Sequence, residues 1–538
     1  MSGADGRRHD GADEAADGRR ALLVIGVLAM ASTLPFAWAR FPVGQDLPAH
    51  VETAAQIRAL WSGDIELARS YVLHGPPWPN ALPTFLVALL LPIVDGLVAG
   101  KVVTAVGIVG WPLTLALLCR RLGRSPWAAL LALPTCFDLS LSYGFLHFVV
   151  GKPLFALALV AAVDVARRPD RRRGATLALA LTALFCTHLM LFVVGSGLVV
   201  AMLAILSRGA RGRVVSAVAV VAGAAPAVGW WLLARPAATP GGATMFAPLP
   251  AALGALWSNL GDRHDDVMDV VPWLVCLLAA VVAAVVSDRA CAAPRRENAA
   301  LVVVFIGVAG FALFGPVRTP HVAIVAERFT APAVALGALL VPVAGARARA
   351  VAVVAAVVAT CVLVVDVGGR WRAFSATDMG NFDALLDRIP PGARVATHYV
   401  TPFSPHGRHN AAWHWPKLVA LRGGSTDDSF AWRSTCVVGL QDGVRPPLQP
   451  RLVDGELAAW DFLLVRGRAA STDRALAALA LTPVFATGTW RLFRVDDARV
   501  DDARVDDVRV DDARAAGELA PPSTGSASPV AGERPVAR

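Results

Sequence analysis

The chain has 538 residues, 56% of them hydrophobic, with 50 lysines and arginines against 41 aspartates and glutamates and a net charge of +9. Soluble domains hold ~45–50% apolar residues and lack repeated long apolar runs, so a soluble enzyme or a disordered regulator is excluded. The arginines gather in short knots between apolar stretches, which marks them as topology signals; no aromatic-basic surface accompanies them, and no nucleic-acid partner is expected. Seven scattered cysteines form no C-x-x-C pair, so neither a structural disulfide nor a zinc site is expected.

Residues 1–20 are polar, with Arg7, Arg8, Arg19 and Arg20, and read as a disordered cytoplasmic tail. Span one, Ala21 to Ala39, has about the ~20 residues a bilayer requires, and Arg20 before it places the N-terminus inside. Beyond it comes Phe41-Pro-Val-Gly-Gln-Asp-Leu-Pro-Ala-His50, in which Asp46 and His50 lie four apart on one helical face. Asp46 before Pro48 is equally a helix start, an aspartate N-cap with proline in the first turn. Pro48 to Ser62 predicts an amphipathic helix lying in the membrane interface, ended by Gly63. Ala81 to Val94 is apolar but has 14 residues and two prolines, and reads as interfacial or re-entrant.

The arginine knots then alternate with apolar runs at 102–119, 126–137, 148–165, 175–187, 189–206, 214–233, 270–286, 301–314, 330–343 and 351–365. Together these give a mainly α, polytopic membrane protein of about eleven transmembrane helices, the C-terminal region outside. Residues 21–366 are the expected membrane domain, with a long first outer loop over 40–80. Residues 367–495 change character: a helix stopped by Pro390-Pro391-Gly392, strands near 394–400 and 460–465, and a helix over 473–481 predict an extracytoplasmic α/β domain. A five-residue Val-Asp-Asp-Ala-Arg repeat then opens a tail, 496–538, expected to be disordered.

Chemistry-bearing residues fall in the outer loops. Asp138 and His147 flank the turn between the third and fourth spans, and ionisable groups at membrane depth face a cavity or a partner. His188 interrupts an apolar run at an outer turn, where an interfacial turn residue is the plainer reading. Arg318, His321, Glu327 and Arg328 form an outer cluster that is either an interfacial salt bridge or a phosphate clamp. Lys152 could help hold that phosphate or snorkel to the surface. An acid can deprotonate an acceptor or, with a second acid, bind a divalent metal; cations can stabilise a departing phosphate.

The pattern resembles the GT-C superfamily, polytopic glycosyltransferases that use polyprenyl-phosphate sugars as donors. Its carriers are Gly44-Gln-Asp-Leu-Pro-Ala-His50, the helix ending at Gly63, Pro79-Asn-Ala-Leu-Pro-Thr-Phe85, Tyr143-Gly-Phe-Leu-His-Phe148, Thr187-His188-Leu189 and Glu327-Arg-Phe329. The resemblance implies inverting transfer of a sugar from a polyprenyl-phosphate carrier to a lipid, glycan or protein acceptor at the outer face of a bacterial cytoplasmic membrane. It makes Asp46 the base or metal ligand, assisted by His50. Asp138 matches the second acid which, in relatives that modify lipid A with aminoarabinose, joins the first at a metal. Arg328, with Lys152 or Arg318, would hold the donor phosphate. The outer domain, with His398, His406, His409 and His414, would cover the site or bind acceptor. The Asp-Glu pair of protein O-mannosyltransferases is absent, since Leu47 follows Asp46, and so is the WWDYG motif of oligosaccharyltransferases. The rival readings are a lipid-linked-sugar transporter or flippase, and a catalytically inactive GT-C relative serving envelope assembly.

Overall fold

The computed structural model describes residues 6–234, 243–261, 267–287, 294–319, 322–407, 409–432, 436–441, 444, 449–450, 452, 456–479 and 481–495. His321 and the repeat beyond Val495 lie outside them.

Helix α1 (Gly6–Ala31) carries the first span and reaches back through residues expected to form a loose tail. The reason is local: Asp17 accepts from Trp127 Nε1 at 3.2 Å and pairs with Arg349 at 2.6 Å. After the short α2 (Leu34–Trp38), α3 (Leu47–Trp61), α4 (Ile65–Ala68), strand β1 (Tyr71–Leu73) and α5 (Leu82–Leu90) make up the long connection between the first two long apolar helices. At nine residues α5 is roughly 14 Å long, too short for a ~30 Å hydrocarbon core.

The bundle follows: α6 (Gly96–Arg121), a 3₁₀ helix over Pro126–Phe137, α7 (Leu139–Ser142), α8 (Leu146–Arg167), α9 (Arg171–Thr187), α10 (Leu189–Leu206), α11 (Gly209–Ala234), β2 (Met245–Phe246), α12 (Leu249–Ser258), α13 (Val267–Val286), α14 (Arg295–Phe314), β3 (Pro316–Thr319), β4 (Val322–Ala323), α15 (Thr330–Ala338) and α16 (Ala346–Ala373). Seven helices among the described residues are long and apolar enough to cross a membrane, and the chain is a multi-pass membrane protein. The eleven expected runs are not all of that length. Pro126–Phe137 is a fully buried 3₁₀ segment, α15 has nine residues and α9 seventeen. Pro126–Phe137 and most of α15 pack inside the bundle, whereas α9 buries one face; the hydropathy of a core segment and of a span is the same. Small residues let the helices close: a Cβ on Gly107 of α6 would stand 2.8 Å from the Val149 carbonyl oxygen of α8.

Beyond α16, a helix α17 (Phe382–Asp387) leads to β5 (Arg394–Tyr399), β6 (Ser425–Thr426), β7 (Val438–Leu440), β8 (Phe462–Arg466), α18 (Ala470–Ala478), β9 (Thr482–Thr487) and β10 (Trp490–Arg494). Five of these strands form one sheet in the order β6-β5-β8-β10-β9, with β6, β5 and β8 parallel and β10 antiparallel to both neighbours. Every residue of β8 is buried, as a central parallel strand requires. Strands β1 and β7 pair antiparallel, Tyr71 opposite Leu440, and so stitch this first long connection to the C-terminal region. Arg40 adds a second stitch, holding Asp95 at the start of α6 at 3.0 Å and Asp383 of α17 at 2.9 Å.

These stitches explain the fate of α3. Its expected interfacial seat, with one face in water, is not what forms. Leu47 to Ala54, Gln56 and Ile57 are all buried, His50, Glu52 and Thr53 among them. A 3₁₀ helix over Trp415–Arg422 covers the side that α5 and α6 do not.

Candidate active site

Burying α3 on both sides places its N-terminus at the wall of a cavity of about 160 Å³. Asp46 and His50 line it, together with Thr84 of α5, His147 of α8, His188 and Arg328. Phe145, Phe148 and Phe430 supply aromatic walls, and Leu189, Met190, Val322 and Val325 an aliphatic side.

Asp46 occupies the N-cap position of α3, yet its side chain makes no capping hydrogen bond. The capping reading therefore fails for the carboxylate; the backbone alone starts the helix, His50 N–H donating to the Asp46 carbonyl at 3.1 Å. What fixes Asp46 is the loop before α8: its N–H donates to the Tyr143 carbonyl at 2.8 Å. Gly144 permits that approach, with a φ of +75° and no room for a side chain, since a Cβ there would stand 2.7 Å from Leu47 N. The Asp46 carboxylate meets His414 Nδ1 of the C-terminal region at 3.4 Å.

Around it stand three imidazoles. The His50 and His147 rings meet edge to face, centroids 4.4 Å apart, and His147 Nε2 is 2.8 Å from Thr84 Oγ1. His188 caps α10: its Nδ1 accepts from Leu191 N–H at 3.2 Å, which leaves the proton, and a donor, on Nε2. The same turn is held by Asn80, whose Oδ1 accepts from Leu189 N–H at 2.8 Å. Arg328 is the one arginine or lysine among the described residues lining the cavity. Its guanidinium lies 3.6 Å from the Phe145 ring centroid and donates to the Ala323 carbonyl at 3.0 Å, so the charge is aimed by the β3–β4 hairpin.

The other candidates lie elsewhere. Asp138 is not at the cavity: Oδ1 caps α7 by accepting from Leu141 N–H at 3.2 Å, and Oδ2 pairs with Lys152 at 3.0 Å, both side chains 1% exposed. The acid and the lysine bond to each other in the interior, and neither lines the cavity. Asp46 is the one acid among the described residues lining the cavity, and no group of three or more histidines, cysteines, aspartates or glutamates among the described residues could hold a metal. That lining does not fit a two-acid metal centre. Arg318 is exposed on β3, and Glu327 sits in the turn before α15; neither lines the cavity. His398 and His406 do not line it either, whereas His409 stacks on Tyr143 with centroids 3.4 Å apart.

Three participants escaped sequence reasoning. Glu52, one turn into α3, meets Lys417 at 3.4 Å, and Lys417 meets Asp428 at 3.2 Å. Asp428 returns to His414 Nε2 at 3.5 Å. Nothing in the sequence pairs residues 52 and 417; the one signal was an acid inside a stretch that otherwise buries. Burial pushes the Glu52 carboxyl up to about 7 from an ordinary 4.5, although Lys417 opposes the rise. The stabilisation from its protonated form is therefore complete below about pH 4.5 and is lost as pH rises through about 7, up to about 3 kcal/mol. Glu52→Gln should flatten the pH dependence of thermal unfolding between pH 5 and 8, measured in detergent; a slope equal to wild type would contradict the assignment.

Two solved structures share this architecture. ArnT from Cupriavidus metallidurans in the apo state superposes with a TM-score of 0.57 at 13% identity, covering 88% of this chain and 97% of that one. The same protein bound to undecaprenyl phosphate gives 0.53 at 14% identity, covering 88% and 98%. The chain shares the overall fold of these ArnT structures. No protein-family profile matches the chain, and no curated protein matches it. At these identities the likeness speaks for the fold, and the chemistry must come from the cavity.

Proposed function

We propose that the chain is an inverting membrane glycosyltransferase that moves a sugar from a polyprenyl-phosphate carrier to an acceptor outside the cytoplasmic membrane. The observation that carries the proposal is one cavity lined by both the Asp46 carboxylate, which does not cap its own helix, and the Arg328 guanidinium, among aromatic and aliphatic side chains. The fold supports it too, since a protein of that fold has been solved with undecaprenyl phosphate.

In this reading Asp46 takes the proton from the acceptor hydroxyl or amine as its lone pair attacks the anomeric carbon. The bond to the donor phosphate breaks on the opposite face, and the leaving phosphate is stabilised by Arg328, with His188 Nε2–H as a further donor. His50 and His147 wall the space between them. The apolar side takes the start of the prenyl chain, and the C-terminal α/β region closes the cavity from outside. The acceptor could be lipid, glycan or protein.

Comparing cell-envelope glycans and glycolipids of a deletion strain with the complemented strain tests the proposal; an unchanged profile would reject it. Arg328→Ala should raise the donor KM about tenfold to a hundredfold, the value of a hydrogen-bonded charge, and Arg328→Lys should recover only part of it. Binding of undecaprenyl phosphate to the purified chain reads the same effect, and equal affinity in wild type and R328A would remove Arg328 from the phosphate site.

A further inference from the structure

A buried base that accepts a proton in every turnover must also lose it. A polar path leads from Asp46 to the surface through His414. His414 is 5% exposed and stands between two carboxylates, Nδ1 at 3.4 Å from Asp46 Oδ1 and Nε2 at 3.5 Å from Asp428 Oδ2. The Asp428 side chain is 42% exposed. Its Oδ2 is also 3.2 Å from Lys417 Nζ, which donates to the Asp428 carbonyl at 2.6 Å, and Glu52 backs that lysine. The Phe430 ring holds the imidazole edge to face, centroids 5.1 Å apart.

We infer that His414 is a relay that carries the proton from Asp46 to Asp428 and so to solvent. The inference rests on Asp46 being the base. The acceptor O–H or N–H bond breaks as an O–H bond forms on Asp46. That bond breaks as Nδ1–H forms on His414, and Nε2–H breaks as Asp428 takes a proton, which it passes to water. One proton leaves the acceptor and one reaches solvent; Asp46 and Asp428 end as carboxylates and His414 as the other neutral tautomer, and a half-turn of the imidazole ring restores the starting arrangement with N–H toward Asp428. Lys417 holds Asp428 in place between turnovers. His414 touches no substrate, so it is a positioning and relay residue. It also explains why an outer region contributes to a site otherwise built from the bundle.

The test uses the full chain in lipid nanodiscs with isotope-labelled histidine, the His414 signal being assigned by its loss in His414→Gln. A relay requires a neutral imidazole near neutral pH, with the proton on Nε2, and a titration that moves in both Asp46→Asn and Asp428→Asn. An imidazolium that persists from about pH 6 to about pH 9 would make His414 a fixed counter-ion and overturn the inference. In the deletion strain, H414Q should lower envelope-sugar incorporation at least about tenfold at an unchanged membrane level; wild-type incorporation also overturns it. Failure of the underlying reading looks different: Asp46→Asn with wild-type incorporation rejects the base whatever the state of His414.

Discussion

Asp46→Asn should abolish sugar transfer while leaving the protein in the membrane at its normal level. The substitution keeps size and polarity and removes the proposed base, so turnover should fall about 10²- to 10⁴-fold. Because the side chain makes no capping hydrogen bond to α3, no helix start is lost with it. The complemented deletion strain reads both quantities, envelope sugar and membrane level. Loss of both together would indicate a structural carboxylate; retention of both would fit a transporter or an inactive relative better than a transferase.

Asp138→Ala should behave in the opposite way. It leaves Lys152 buried without its carboxylate, near the Thr135 carbonyl at 3.2 Å, and removes the cap of α7. Breaking a buried pair from one side costs about 3–5 kcal/mol, a large part of a domain's ~5–15 kcal/mol, so the variant should unfold at lower temperature and accumulate poorly. Removing both charges together, Asp138→Asn with Lys152→Met, should recover most of that stability, since asparagine still caps and no uncompensated charge remains. Thermal unfolding of the solubilised protein measures it. An Asp138→Ala variant with unchanged stability and lost activity would instead place Asp138 in the chemistry.

These two acids show where sequence reasoning reached and where it stopped. Both lie beside apolar segments near histidines, and both looked functional for the same reason: carboxylates at membrane depth need partners. Which partner is a matter of tertiary structure. Lys152 lies fourteen positions from Asp138 and turns inward on α8 to meet it, and no spacing rule separates that from snorkelling outward. By contrast Asp46, His50, His147, His188 and Arg328 were all legible as candidates, because each interrupts or borders an apolar run where a polar group is expensive. The C-terminal sheet was legible as well, its strands at 394–399 and 462–466 close to the expected runs. Seven long helices do not reproduce the expected count of about eleven, because a core segment and a span have one hydropathy, and the burial of α3 on both sides was not legible because its second cover, Trp415–Arg422, lies more than 350 residues away in sequence. Glu52 and Lys417 belong to that same long-range packing.

The most direct measurement is a structure of the full chain with undecaprenyl phosphate in a lipid nanodisc. The phosphate should lie in the cavity against Arg328 and His188, with Asp46 facing it across the space left for sugar and acceptor. Phosphate bound outside this cavity, or Asp46 turned from it into bulk solvent, would contradict the account.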